Sequence, residues 1–268
     1  MLPDLDPTED KKADEEQSLN ADVTYEVIRR QGESELERPL SALAWSGLAA
    51  GLAMALSLIA EGVLRSHLPD TSWRPLITKL GYPVGFLAVI LGSQQLYTEN
   101  TLLPVVPVLA TKESGSFKKM LALWAVVFVA NIVGAAVMAT ILARTVLFDE
   151  PVRVAFASIS REAMAPGAIS ILWRGVFAGW LIALMMWMIP AAESAQIWVI
   201  IVMTFLVGIA SLSHVIVGSV AAFYLVATGE QSVAAAFIGF ILPALVGNTF
   251  GGVTLVAALN HAQVVSGS

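Results

Sequence analysis

The chain has no cysteine among its 268 residues, which excludes disulfides, thiolate metal sites and cysteine nucleophiles. Charge is also scarce: 13% of residues are charged, against about 25% in a soluble domain. No basic stripe runs along the sequence, so nucleic acid is not an expected partner. The N-terminus shows no basic region followed by an apolar core. The first hydrophobic helix is therefore expected to act as its own insertion signal. Paired carboxylates, HExxH, a Walker loop and a serine elbow are all missing, so no enzyme is expected, and no cofactor or metal is implied. What is abundant is apolar: 57% of residues are hydrophobic and the mean hydropathy is +0.75. That composition belongs to an all-α protein of the lipid bilayer.

A helix needs about 20 apolar residues to cross the hydrocarbon core. Six stretches qualify, at 40–63, 80–110, 117–143, 168–190, 196–227 and 233–259. The connections are short except at 65–79 and 144–167. The chain thus divides into an acidic tail at 1–38, a six-helix domain at 39–260 and a short end at 261–268. The tail holds many of the acids, among them Asp4, Asp6, Glu9, Asp10, Asp14, Glu15 and Glu16, and its first 20 residues are expected to be disordered. Val23, Val27 and Ile28 could form the apolar stripe of a surface helix, or the segment could be a solvated leader with some helicity. Lys and Arg divide eight against seven between the two sides, so charge asymmetry sets no orientation. An even number of helices places both termini on one side.

The two halves repeat. Gly47-x-x-Ala50-Gly51-x-x-x-Ala55-Leu56 recurs as Gly175-x-x-Ala178-Gly179-x-x-x-Ala183-Leu184, and Asn131-x-x-Gly134-Ala135 recurs as Asn248-x-x-Gly251-Gly252. A three-helix repeat must alternate direction, so the halves have inverted topology, an architecture of membrane transport proteins with the solute site at the repeat interface. Between these matches, helices two and five are too long and carry polar interruptions. One runs from Ser93 to Asn100, with Pro104 and Pro107 after it; the other is Ser211-Leu212-Ser213-His214 between Gly208 and Gly218. Thr98 precedes Asn131 by 33 residues and His214 precedes Asn248 by 34. Unwound backbone at membrane depth survives only when buried in protein or facing a watery cavity. Two broken helices meeting at the midplane therefore read as a pore, with half-helix ends turned towards a polar solute.

His214 is the one histidine inside an expected span. It reads as a pore-facing proton donor, its intrinsic pKa being about 6.5, or as a neutral imidazole that packs the break. Glu99 is the one carboxylate near the middle of an expected helix. It could face the pore and hold a cation or proton, or it could cap a half-helix starting at Asn100. Asn131 and Asn248, backed by Gly251 and Gly252, read as supports of the broken loops. Gly47/Gly51 and Gly175/Gly179 read as packing sites. Phe86, Phe205 and Phe223 could each form an apolar constriction.

These motifs carry a family resemblance. Residues 124–135 (WAVVFVANIVGA), 174–187 (RGVFAGWLIALMMW) and 241–252 (ILPALVGNTFGG) look like the third-, fourth- and sixth-helix motifs of the formate/nitrite transporter family. Leu96-Tyr97-Thr98-Glu99-Asn100 resembles its second-helix loop, and Ser213-His214 its fifth-helix break. The likeness covers about 38–260 and marks the chain as a divergent member. It implies an aquaporin-like protomer, a homopentamer with one pore per subunit, cytoplasmic termini and a bacterial inner membrane. It also implies passage of a small monovalent anion such as formate, nitrite or hydrosulfide. Thr98 and His214 would lie between two apolar constrictions, to which Phe86 and Phe205 are assigned, and the anion would cross with a proton. Several positions depart from the family pattern. A vestibule lysine falls at Ala163, near Arg161. The glutamate before the histidine is Ser213, and the asparagine after it is Gly218. The glycine after the loop threonine is Glu99, and the glutamate before it is Gln95. Two alternatives accompany the anion-pore reading: the same scaffold passing a neutral or cationic solute past Glu99, and a closed membrane scaffold or sensor.

Overall fold

The computed structural model describes residues 21–267, so the acidic stretch before Ala21 lies outside the described residues. Among those described the chain is helical throughout, with no strand. Five helices are long and apolar enough to cross a membrane: Leu40–His67, Arg74–Leu91, Ser114–Arg144, Ala168–Ala192 and Val233–Ser266. The remaining crossing is made by two shorter apolar helices, Gln196–Ile209 and Val215–Thr228, end to end. These are spans one to six of the sequence reading, with Gln196–Thr228 as span five and Arg74–Thr111 as span two.

Both expected breaks are present and are built alike. Span two stops at Leu91 and resumes as Val105–Thr111. At its stop Ser93 adopts φ 52°, with Ser93 N–H bonded to Ile90 O and Gln94 N–H to Val89 O. At the stop of span five Ser211 adopts φ 53°, with Ser211 N–H bonded to Gly208 O and Leu212 N–H to Val207 O. Each is a Schellman ending, which satisfies the last carbonyls of a helix that must end inside the protein. A non-glycine residue in the left-handed region is uncommon. Its use at matched places in the two halves marks these stops as a built feature of the repeat.

The second half-helix begins at Val105 and not at Asn100. Pro104 caps it and Pro107 lies in its first turn, the positions where a missing N–H costs least. Residues 99–101 form only a 3-10 turn with no side-chain cap. Glu99 therefore does not have the capping role that the sequence offered.

Helix pairs one–three and four–six lie backbone to backbone. A Cβ on Gly51 would run into the main chain of Asn131, and one on Gly179 into that of Asn248. Only the absence of a side chain permits that approach. Gly251 lies in the same way against Val176 and Trp180, and Gly252 leaves room for Thr101.

The short helix offered for the N-terminal segment is present but turns a different face inward, and one further helix was not expected. Residues 21–37 form a helix, Ala21–Glu37, that buries Thr24, Tyr25, Ile28 and Gly32, while Val23 of the expected stripe is exposed. Its Gly32 abuts the carbonyl of Leu103 in the span-two loop. The polar connection at 144–167 contains a 15-residue helix, Glu150–Met164, that buries Val152, Ala155, Phe156 and Ile159.

Candidate functional site

The breaks of spans two and five are held by the same device. Asn131 accepts a hydrogen bond from Tyr97 N–H at 2.9 Å and donates to Gly47 O at 2.7 Å and Gln95 O at 2.9 Å. Asn248 accepts from Val215 N–H at 2.9 Å and donates to Gly175 O at 2.9 Å and Ser213 O at 2.8 Å. One amide per half thus satisfies backbone groups that the helix break leaves open.

So positioned, the two loops meet. His214 Nε2 lies 2.8 Å from Thr98 Oγ1. His214 also caps the helix Val215–Thr228, where its Nδ1 accepts from Val217 N–H at 3.3 Å. A ring nitrogen that accepts carries no hydrogen. The hydrogen-bond pattern therefore assigns the neutral tautomer, with Nε2–H donating to Thr98. The Thr98 hydroxyl hydrogen finds no acceptor among the described residues, so it is free to donate to a solute. The Phe86 ring, wholly buried, meets the imidazole edge-on at a centroid distance of 4.9 Å.

A cavity of about 120 Å³ opens from His214 towards the far end of span one. Ser213, Phe240, Glu61, Lys79, Glu162 and Arg174 contribute to its walls, and Ala163 lines it too. Phe240 lies in a π-helical turn, Phe237–Ile241, and its ring occupies the space a Cβ on Gly218 would need. Phe205, half-buried, is not among the residues lining this cavity. Phe223 packs on Phe237, with centroids 6.0 Å apart.

The cavity carries cations that the sequence reading did not place there. Lys79 Nζ lies 2.6 Å from Glu61 Oε2, and Glu61 is only 2% exposed. A second enclosed carboxylate thus joins Glu99, and its charge is paired. Arg65 holds Glu162 through two hydrogen bonds of 2.8 and 2.6 Å. Arg174 makes no ion pair among the described residues; its one polar contact is with Ser211 O at 3.4 Å. It is the uncompensated positive charge of the cavity. Glu61 stands out in the sequence as the one acid of its span, but nothing local in the sequence names Lys79 as its partner.

Glu99 is 7% exposed, one residue beyond Thr98. Its Oε1 and the neighbouring Asn100 Oδ1 are enclosed without a hydrogen-bond partner. Asn100 Nδ2 donates to Gln95 Oε1 at 2.9 Å and Leu96 O at 3.0 Å. Gln95 Nε2 in turn donates to Glu35 Oε2 of the N-terminal helix at 2.9 Å. No group of three or more His, Cys, Asp or Glu side chains suited to a metal ion occurs among the described residues.

Comparison with known proteins agrees with this architecture. The family model "Formate/nitrite transporter" matches residues 22–262. The inner membrane protein YfdC of Escherichia coli (strain K12) is 40% identical over 240 residues, covering 90% of this chain and 77% of that protein. The uncharacterized transporter YrhG of Bacillus subtilis (strain 168) is 24% identical, covering 89% and 91%. Among solved structures, a pentameric formate channel with formate bound superposes with a TM-score of 0.70 at 17% identity, covering 85% of this chain and 98% of that one. An FNT family ion channel gives 0.72 at 22% identity, covering 91% and 98%.

Proposed function

The chain belongs to the formate/nitrite transporter family, whose members are channels and transporters rather than enzymes, and from that premise we propose that it passes a small monovalent weak-acid anion of the formate, nitrite or hydrosulfide type, with a proton, through the site at Thr98 and His214. The observation that carries this reading is the 2.8 Å contact between Thr98 Oγ1 and His214 Nε2, where the two broken helices meet and His214 lines the cavity. Stripping water from a bare anion is costly in an apolar passage, and the cost largely disappears once a proton neutralises it. Arg174, without a carboxylate partner, gives the cavity a positive charge that favours entry of an anion. Lys79 offers less, because Glu61 already compensates it. In the passage itself the Thr98 hydroxyl donates to the anion while Nε2–H of His214 backs that hydroxyl. Phe86 meets the imidazole edge-on and Phe240 lines the same cavity as His214; in this reading the two rings keep bulk water from the exchange.

By the same reading the protein is a homopentamer of the inner membrane with both termini in the cytoplasm. Its outward apolar residues, such as Trp45 at 73% and Ile169 at 78% exposed, would face lipid or a neighbouring subunit. The test is formate and nitrite uptake into proteoliposomes at about pH 5.5 and about pH 7.5, which differ about a hundredfold in the supply of protons to a weak-acid anion. Uptake is expected to rise at the lower pH and to collapse in His214→Ala. Absence of uptake at both pH values, or uptake indifferent to His214, would overturn the proposal.

A further inference from the structure

We infer that Glu99 is a proton-binding site of the span-two loop, holding its proton at neutral pH and standing one residue from the Thr98–His214 contact. The inference rests on the pore reading for its use but not for its existence, which follows from the surroundings of the side chain. Glu99 is more than nine-tenths enclosed, and its Oε1 has no hydrogen-bond partner. It enters no ion pair among the described residues. The next side chain, Asn100, presents a second enclosed acceptor without a donor, because its Nδ2 is committed to Gln95 and Leu96. The loop therefore offers lone oxygens and no hydrogen to fill them. An ionised carboxylate there would be a desolvated charge with nothing to balance it.

The charged groups around it deepen the deficit. The N-terminal helix brings another carboxylate, Glu35, to the same loop, where Gln95 joins it to Asn100. Glu35 is held by Gln95 Nε2 and by Arg38, 3.0 Å away, so Arg38 is committed to Glu35 rather than to Glu99. Spans four and six pack against the 99–101 turn. Residues 168–192 bring only Arg174, which lies at the cavity end, and residues 242–252 bring no ionisable group. Tyr97 beside the turn is tied to Thr249 Oγ1 at 2.9 Å. Trp124 Nε1–H spends its hydrogen on Asn100 O at 2.8 Å. His214 reaches the loop only through Thr98. Among the described residues no donor or cation is left for Glu99, and one proton removes the charge and converts an acceptor into a donor.

A protonated acid and a carboxylate have separate infrared carbonyl bands, so the state can be read directly on the full-length protein in lipid. The spectrum of the native chain minus that of Glu99→Gln, taken at about pH 7, where an ordinary carboxyl of pKa about 4.3 is ionised, is expected to show a protonated-acid band. The band should give way to carboxylate bands as the pH is raised further. A difference spectrum with only carboxylate bands at neutral pH would overturn the inference. So would a protonated-acid band that is displaced at fixed pH by sodium or potassium chloride, which would make this a metal-cation site. Glu99→Gln is isosteric with the neutral acid and is expected to assemble normally. Because no solute flux enters the measurement, its outcome is independent of whether formate or nitrite crosses.

Discussion

Asn131 and Asn248 occupy equivalent places in the two halves and make the same three hydrogen bonds, one accepted from the break and two donated, to the break and to the facing glycine. Each replaces backbone pairing that a continuous helix would supply. Removing the amide strands buried N–H and C=O groups, each costing about 1–3 kcal/mol. Asn131→Ala and Asn248→Ala are accordingly expected to lose several kcal/mol each, by similar amounts. Thermal unfolding in detergent checks this. A loss under about 1 kcal/mol at either position would mean that the amide does not hold that break.

This half of the architecture was legible because the repeat wrote it twice. An asparagine beside small residues, a glycine pair on the facing helix and a polar interruption about one helix pair upstream recur together. No single occurrence would separate a pore support from ordinary packing. The helix Glu150–Met164 escaped notice for the opposite reason. Its four charges mask a buried apolar face that shows only in three dimensions. The Glu61–Lys79 pair joins the end of one span to the start of the next across a polar turn, a contact no local pattern encodes. Phe240 could not be told from Phe205, because both sit in helices that are apolar on every side. What singles out Phe240 is the missing side chain of Gly218 on a neighbouring span.

The Thr98 hydroxyl accepts from His214 and keeps its own hydrogen free of any acceptor among the described residues; in the proposed mechanism that hydrogen meets the anion. Thr98→Val keeps the shape and removes both roles. It leaves a buried imidazole N–H unpaired, a loss of about 1–3 kcal/mol, and is expected to lower formate uptake about tenfold or more, as removal of one positioned donor commonly does. Thr98→Ser should retain most of the uptake. Equal uptake in the two variants would remove the hydroxyl from the mechanism.

Lys79 and Glu61 are a pair in which one partner is almost wholly enclosed. Lys79→Met leaves the carboxylate without its cation, and breaking a buried pair costs about 3–5 kcal/mol. The double variant Glu61→Gln with Lys79→Met removes the stranded charge and is expected to recover most of that loss. Additive losses in unfolding experiments would show that the two side chains do not stabilise each other. Arg174→Gln, by contrast, should scarcely affect stability but should weaken anion uptake at low concentration, since Arg174 balances no carboxylate among the described residues.

Glu162 lies outside the spans, on the helix that closes one side of the cavity, and its titration can be followed by itself. Burial is the largest single influence and acts to raise its carboxyl, but the hydrogen bonds and charge of Arg65, with Ser158 and Lys79, together outweigh it and hold the group below 4.5. A carboxyl with a depressed folded-state value stabilises above its unfolded value and loses that contribution as the pH falls through the folded one. The window therefore lies below 4.5. The side chain is 56% exposed, so the contribution is under about 1 kcal/mol. Glu162→Gln should lower the melting temperature slightly near neutral pH, and the gap from the native chain should close as the pH drops below that window. Between about pH 5.5 and about pH 7.5, where an exposed carboxyl of pKa about 4.3 stays ionised, the variant should keep the native shape of the uptake profile. A change of shape there would make the Arg65–Glu162 tether the origin of the pH response.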